Sequence, residues 1–233
     1  MQLTVRDAAQ FLGVSETTLY RWLRRGEVPA QRIDDQYRFD RVELLEWAAS
    51  KGIRVPAEML LERNAPPLEM PSLAEVVTTG GVHLHVAGTD KPAIFRAVVG
   101  LLPLPAEIDR DFLYQVLLSR EAIGSTGFGN GIAIPHPRNP IVLQAARPAV
   151  AICYLEKPID FDALDGKPVH TLCTLVSPSI RTHLHLLAIL AAVIQDPAMR
   201  ARLEARTPAA ELIPAIARAE SELAQQRAAN QAP

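Results

Sequence analysis

The sequence predicts an α/β protein in two parts. A mixed sheet of about four to six strands with helices packed on it is preceded by a small helical domain that carries a hairpin. Three observations carry this reading. The chain opens with two short, capped helical segments separated by a glycine turn. Prolines and acids then crowd a stretch without helical period, including Pro56, Pro66, Pro67 and Pro71 with Glu58, Glu62 and Glu69. Beyond it, strand and helix patterns resume around a glycine-rich run that ends in Pro135-His136-Pro137. The boundaries expected from these shifts are a head at 1–54, a linker at 55–70, a body at 71–226 and a frayed tail at 227–233.

The head is built from local signals. Thr4 precedes Val5-Arg6-Asp7-Ala8-Ala9, with Asp7 at the reciprocal capping position, and Gly13 closes the helix. Ser15 caps the next helix, and Gly26 stops it. Wound at about 100° per residue, that second helix places Leu19, Trp22 and Leu23 on one apolar face. Thr17, Thr18, Arg21, Arg24 and Arg25 fall on the opposite face, a set suited to phosphates and guanine edges. Residues 30–39 read as a hairpin turning at Asp34-Asp35, with Tyr37 and Phe39 on one side and Arg38 on the other. Asp40 then starts a third helix with Glu43 as its capping partner, and Leu44, Leu45 and Trp47 point inward.

These residues resemble the winged helix-turn-helix of the excisionase/MerR class. The likeness runs through Leu12-Gly13-Val14-Ser15, Thr18-Leu19-Tyr20-Arg21-Trp22, Gly26, Pro29-Ala30 and Tyr37-Arg38-Phe39. It implies DNA binding, with the second helix in the major groove and the hairpin as a wing. Thr17, Thr18, Arg21, Arg24 and Arg25 would then form the reading face, with Arg32 and Arg38 on the wing. Residues 1–54 carry nine basic side chains against eight acidic ones. So small a surplus holds DNA weakly, which implies a homodimer or a partner. A head that binds a regulator protein instead of DNA is the competing reading.

In the body, 82–86 alternates as a strand, Asp90 caps a helix running to 102, and 109–123 has apolar residues at helical spacing. The run from Gly124 through Ser125-Thr126-Gly127-Phe128-Gly129-Asn130-Gly131 allows tight turns. Pro135 and Pro137 then force Ile134 and His136 into extended conformations. An imidazole held so rigidly is a candidate nucleophile able to carry a phosphoryl group, with Arg120 and loop N–H groups able to meet the charge.

Ser119-Arg120-Glu121 followed by Gly-Ser-Thr-Gly-Phe-Gly-Asn-Gly-Ile-Ala-Ile-Pro-His closely resembles the IIA domain of the fructose/mannitol and nitrogen-regulatory phosphotransferase systems. The likeness spans about 71–222 and includes Pro158-Ile159-Asp160-Phe161-Asp162 and Thr182-His183-Leu184-His185. It implies that His136 accepts phosphate from a small histidine phosphocarrier, with Arg120 and His183 as the other active-site residues. Two departures stand out. Pro137 replaces a glycine common in the family, removing an N–H beside the phosphate. Asn130 stands where some sugar-transporting members carry glutamate, which favours the nitrogen-regulatory type.

The remaining features are exclusions. Net charge is −2, from 24 basic and 26 acidic residues, and 48% of residues are hydrophobic. Disordered, collagen-like and histone-like proteins are therefore excluded. The longest apolar run, 186–194, is far short of the roughly 20 residues of a membrane span, and no secretory signal opens the chain. A cytoplasmic protein with no membrane partner is expected. Cys153 and Cys173 lie in apolar stretches and read as buried thiols. No metal or other cofactor is expected. His183 and His185 diverge on a helix, His83 and His85 share one strand face without an acidic or thiol partner, and His170 opens an apolar strand as a structural residue. Two functions remain open: a phosphoacceptor whose state the head converts into transcriptional regulation, or a IIA-like module that recognises partners without phosphotransfer.

Overall fold

The computed structural model describes residues 2–33, 36–51, 53, 55, 70–106, 108–140 and 147–231. The expected linker lies outside the described residues except at its ends, as does the Asp34-Asp35 turn. The chain forms two compact units, Met1–Glu69 and Met70–Pro233.

The first unit begins with β1 (Gln2–Leu3), α1 (Val5–Leu12) and α2 (Glu16–Arg24). Thr4 caps α1 in a full capping box with Asp7, and Gly13 ends it in the left-handed region at φ 66°. Ser15 caps α2 through the Thr18 N–H. The hairpin follows as β2 (Gln31–Ile33) and β3 (Gln36–Asp40), and α3 spans Arg41–Ser50. Asp40 accepts the Glu43 N–H at 3.1 Å. Phe11, Leu12, Leu19, Phe39, Leu44 and Leu45 form the core, and Trp22 meets Trp47 edge-on at 5.2 Å. The strand β1 was not expected; it pairs Leu3 with Phe39 and completes a sheet of order β1-β3-β2.

The second unit runs α4 (Leu73–Gly80), β4 (Val82–Val86), α5 (Lys91–Leu101), α6 (Arg110–Ile123), β5 (Gly127–Gly129), β6 (Ile132–Ala133), β7 (Ala149–Ile159), β8 (Val169–Val176), α7 (Ile180–Gln195), α8 (Pro197–Glu204) and α9 (Ala209–Gln231). The sheet has five strands in the order β4-β7-β8-β6-β5. It is mixed, since β4 runs parallel to β7 and β6 parallel to β8, while β7/β8 and β5/β6 are antiparallel.

Helices cover both faces, so β7 reads as a nearly continuous apolar run. Ala149, Ala151, Cys153 and Leu155 join Ile94, Phe95, Val98, Leu113 and Leu117 in one core. The alternate residues Val150, Ile152 and Tyr154 are equally buried on the other face. There α4 packs on β7, and the Tyr154 hydroxyl donates to the Thr207 carbonyl at 3.0 Å. Both thiols are buried, which pushes Cys153 and Cys173 up to about 12 and keeps them protonated.

Three expectations need correction. Helix α4 is not among the elements expected from the sequence, although Ser72 and Glu75 form a capping box at its start. His83 and His85 do not share a strand face. The register shifts between His83 and Val86, and His85 sits at φ 55°. Finally, the stretch from residue 227 continues α9 as far as Gln231. Ala224, Ala228 and Ala229 are strong helix formers, and a polar composition need not fray such a helix.

Candidate functional site

The site begins where α6 stops. Arg120 lies in its last turn and donates from Nη1 to the Gly124 carbonyl at 2.9 Å, at the first residue of the glycine-rich run. The chain then doubles back through β5 and β6, with Gly129, Asn130 and Gly131 all at positive φ (99°, 53° and 74°). Such a run of left-handed residues favours glycine and asparagine. Two contacts clip this turn to β8 and its approach. The Asp165 carboxylate accepts the Asn130 N–H at 2.7 Å, and the Gly131 carbonyl accepts from the amides of both His170 and Thr171. The Asn130 N–H is the chief reason that the Asp165 carboxyl lies below the usual range.

Beyond β6 the chain leaves the sheet as Ile134-Pro135-His136-Pro137, and it is pinned on both sides. Ile134 donates its N–H to the Thr126 carbonyl at 3.0 Å, and the Pro135 carbonyl accepts from Leu175 at 3.0 Å. His136 is 3% exposed. Its Nδ1 lies 2.6 Å from the Ile134 carbonyl oxygen. A carbonyl can only accept, so Nδ1 carries the proton, and in a neutral ring Nε2 holds the lone pair.

His183 comes from the first turns of α7, whose N-cap Ser179 accepts the Thr182 N–H. It is fully buried, its Nδ1 hydrogen-bonded to the Ser177 hydroxyl at 3.1 Å. The rings of His136 and His183 lie 5.2 Å apart, tilted by 52°. The positive end of the α7 macrodipole, a helix of 16 residues, therefore opens beside His136. The structure thus brings two members of the expected triad into ring contact, while Arg120 meets the same glycine-rich segment at its start.

Sequence reading missed the charges behind this segment. Glu121 is 7% exposed; its Oε2 accepts the Thr126 N–H at 2.9 Å and hydroxyl at 2.6 Å. Its Oε1 faces Lys91 Nζ at 2.9 Å, and Lys91 also meets Asp162 at 2.8 Å. One signal was available. Leu113, Leu117 and Glu121 are buried on α6 at intervals of four, so Glu121 falls on an inward stripe.

On the head, Thr17, Arg21 and Arg24 are exposed on α2 and Arg25 at its C-cap. Thr18 is half-buried, its hydroxyl 3.0 Å from that of Ser15, where it serves the helix start. Arg25 lies 3.7 Å from Glu27, and Arg38 donates to the Gln36 side chain at 2.7 Å. The wing pair does not form one surface. Arg32 stands opposite Tyr37 and Arg38 opposite Gln31, and opposed residues share a face. Arg32 and Arg38 therefore point to opposite sides of the hairpin.

Among the described residues, no three His, Cys, Asp or Glu side chains are grouped to hold a metal ion. No single helix among them is long and apolar enough to cross a membrane.

Comparison with known proteins gives the family and agrees with the fold. Residues 75–219 match the family model described as phosphoenolpyruvate-dependent sugar phosphotransferase system, EIIA 2, and residues 3–52 match a helix-turn-helix domain. The chain is similar to the nitrogen regulatory protein of Pseudomonas aeruginosa, with 39% identity over 60% of this chain and 91% of that protein. It is similar also to the Escherichia coli nitrogen regulatory protein, with 38% identity over 65% of this chain and 91% of the relative. The crystal structure of nitrogen regulatory protein IIA-Ntr from Neisseria meningitidis superposes with a TM-score of 0.54 at 27% identity, covering 62% of this chain and 98% of that one. The chain thus belongs to the EIIA 2 family of the phosphoenolpyruvate-dependent phosphotransferase system, of the nitrogen regulatory kind, with an N-terminal helix-turn-helix domain.

Proposed function

We propose that the protein is a cytoplasmic regulatory phosphoprotein that takes a phosphoryl group onto His136 from a histidine phosphocarrier charged by phosphoenolpyruvate. The head couples this state to transcription by binding DNA as a homodimer. In the transfer, the Nε2 lone pair of His136 forms the new N–P bond while the donor's N–P bond breaks. The released electron pair returns to the donor's ring nitrogen. No proton changes hands, because the proton stays on Nδ1, donated to the Ile134 carbonyl throughout. Arg120 and His183 orient the phosphoryl group and offset its charge, aided by the N-terminal end of α7.

The observation that carries this reading is the 2.6 Å bond from Nδ1 to the Ile134 carbonyl. It selects the tautomer whose Nε2 is nucleophilic before any donor arrives. The test is incubation with a phosphoenolpyruvate-charged histidine phosphocarrier. Acid-labile phosphate should appear on the wild type and be absent from His136→Ala. A wild type that takes no label under conditions that label a standard IIA protein would overturn the proposal.

A second reading is a IIA-like interaction module that does not carry phosphate, its head binding a regulator protein. It is supported by the burial of His136 at 3% exposure and by the missing N–H at Pro137. The same labelling experiment separates the two.

A further inference from the structure

We propose that Glu121, held by Lys91, is a positioning residue for His136 and Arg120 together. This rests on the phosphoacceptor reading. Glu121 is the residue after Arg120 on α6, with its side chain only 4% exposed and that of Lys91 19% exposed. A carboxylate so placed is costly unless it is paired and hydrogen-bonded, and here both oxygens are engaged. Lys91 is held in turn by Asp162 at 2.8 Å and lies 4.9 Å from the centre of the Phe161 ring. Burial pulls the Lys91 ammonium down, but the bonds to Asp162 and Glu121 outweigh it and raise its pKa above the ordinary lysine value. Lys91 therefore stays charged.

The geometry reaches His136 in three further steps. Thr126 is attached to the Glu121 Oε2 at two points, its amide at 2.9 Å and its hydroxyl at 2.6 Å. Two attachments fix rotation as well as position, and so aim the Thr126 carbonyl. That carbonyl accepts the Ile134 N–H at 3.0 Å. The Ile134 carbonyl in turn accepts the His136 Nδ1 proton at 2.6 Å. In the other direction, Glu121 is covalently next to Arg120, whose guanidinium holds the Gly124 carbonyl at 2.9 Å. One buried ion pair thus references both ends of the glycine-rich turn. An apolar pair could fill this space at no desolvation cost, but it could not hold the Thr126 amide and hydroxyl.

The test uses the full chain, a charged histidine phosphocarrier and ¹⁵N spectra of the His136 ring. Glu121→Gln keeps an acceptor for Thr126 but discharges the pair; Lys91→Met removes the cation. Each should lower kcat for phosphotransfer roughly 10- to 100-fold and leave KM for the carrier within about twofold. The ring signals should move from the Nδ1–H tautomer towards a mixture. The double variant should be no slower than either single one, and Lys91→Arg should restore most of the rate. Should Glu121→Gln fail to fold, Thr126→Val, which keeps the amide bond and loses the hydroxyl bond, carries the same test with a smaller loss. Folded variants with lowered melting temperature but wild-type kcat and an unchanged His136 tautomer would overturn the proposal. If the wild type itself takes no phosphate, the acceptor reading fails. The tautomer measurement then still decides whether Glu121 positions the ring.

Discussion

Gly131 and His170 compete for one volume: a Cβ on Gly131 would lie 2.3 Å from Cδ2 of the His170 ring. Gly131 also sits at φ 74°, so any side chain there meets both a clash and an unfavourable backbone. Gly131→Ala should therefore destabilise the body by about 1–3 kcal/mol, read from urea denaturation. His170→Ala in that background removes the clash but not the backbone strain, and should recover only part of the loss. Full recovery would show that the backbone conformation costs nothing here.

The same histidine gives the protein a pH response on its acidic side. Burial is the main cause holding His170 below the ordinary histidine value, with Arg206 acting in the same sense and Glu204 opposing it. A depressed folded pKa means that the unfolded chain binds the proton more readily. The contribution is complete above the unfolded value near 6.5 and is lost as pH falls through the folded one. Denaturation midpoints measured between pH 7.5 and 5 should fall with acid in the wild type. They should fall less in His170→Gln.

At still lower pH a second loss is expected from Asp165, whose carboxyl is held below the usual range chiefly by the Asn130 N–H. Its contribution is present above the unfolded value near 3.9 and disappears as pH drops through the lower folded value. Asp165→Asn removes that acidic step. By loosening the glycine-rich turn, it should also raise amide exchange at Asn130 and Gly131, a change that hydrogen-exchange measurements can read.

On the head, Arg21→Ala combined with Arg25→Ala should weaken binding to a non-specific duplex and reduce the salt slope of log K by about 2. Fluorescence anisotropy across a salt series measures both. The wing should respond unequally. Arg38 lies on the face away from Tyr37 and Phe39, whereas Arg32 shares the Tyr37 face, so Arg38→Ala should cost more affinity than Arg32→Ala. Binding that survives the helix substitutions would move the contact surface off α2.

What could be read from the sequence was local. Thr4 with Asp7, Ser15, Asp40 with Glu43 and Asp90 are caps whose partners lie within three residues, and the glycine-rich turn shows its own backbone needs. That His136 stands outside helix and strand was legible for the same reason, since proline acts on its neighbour. The Lys91–Glu121–Asp162 cluster was not, because its members are brought together by packing across three separate segments. Nor was the split of Arg32 from Arg38, which depends on strand register: a single-residue slip would reverse it. Ring contact between His136 and His183 required the fold itself.

The start of α4 is completed from far away. Its first amide, on Leu73, donates to both carboxylate oxygens of Glu220 on α9, at 2.9 and 3.0 Å and across 147 residues of sequence. Glu220→Ala should cost about 1–2 kcal/mol through the orphaned amide, visible as a lower thermal midpoint, with Glu220→Gln keeping about half. The pairing also sets an order of events. A chain emerging from the ribosome can finish its head early, because even the pairing of Gln2 with Asp40 lies within the head itself. The body must wait for residue 220 before the Leu73 amide finds its acceptor, so the helix-turn-helix unit can fold before the EIIA unit is complete.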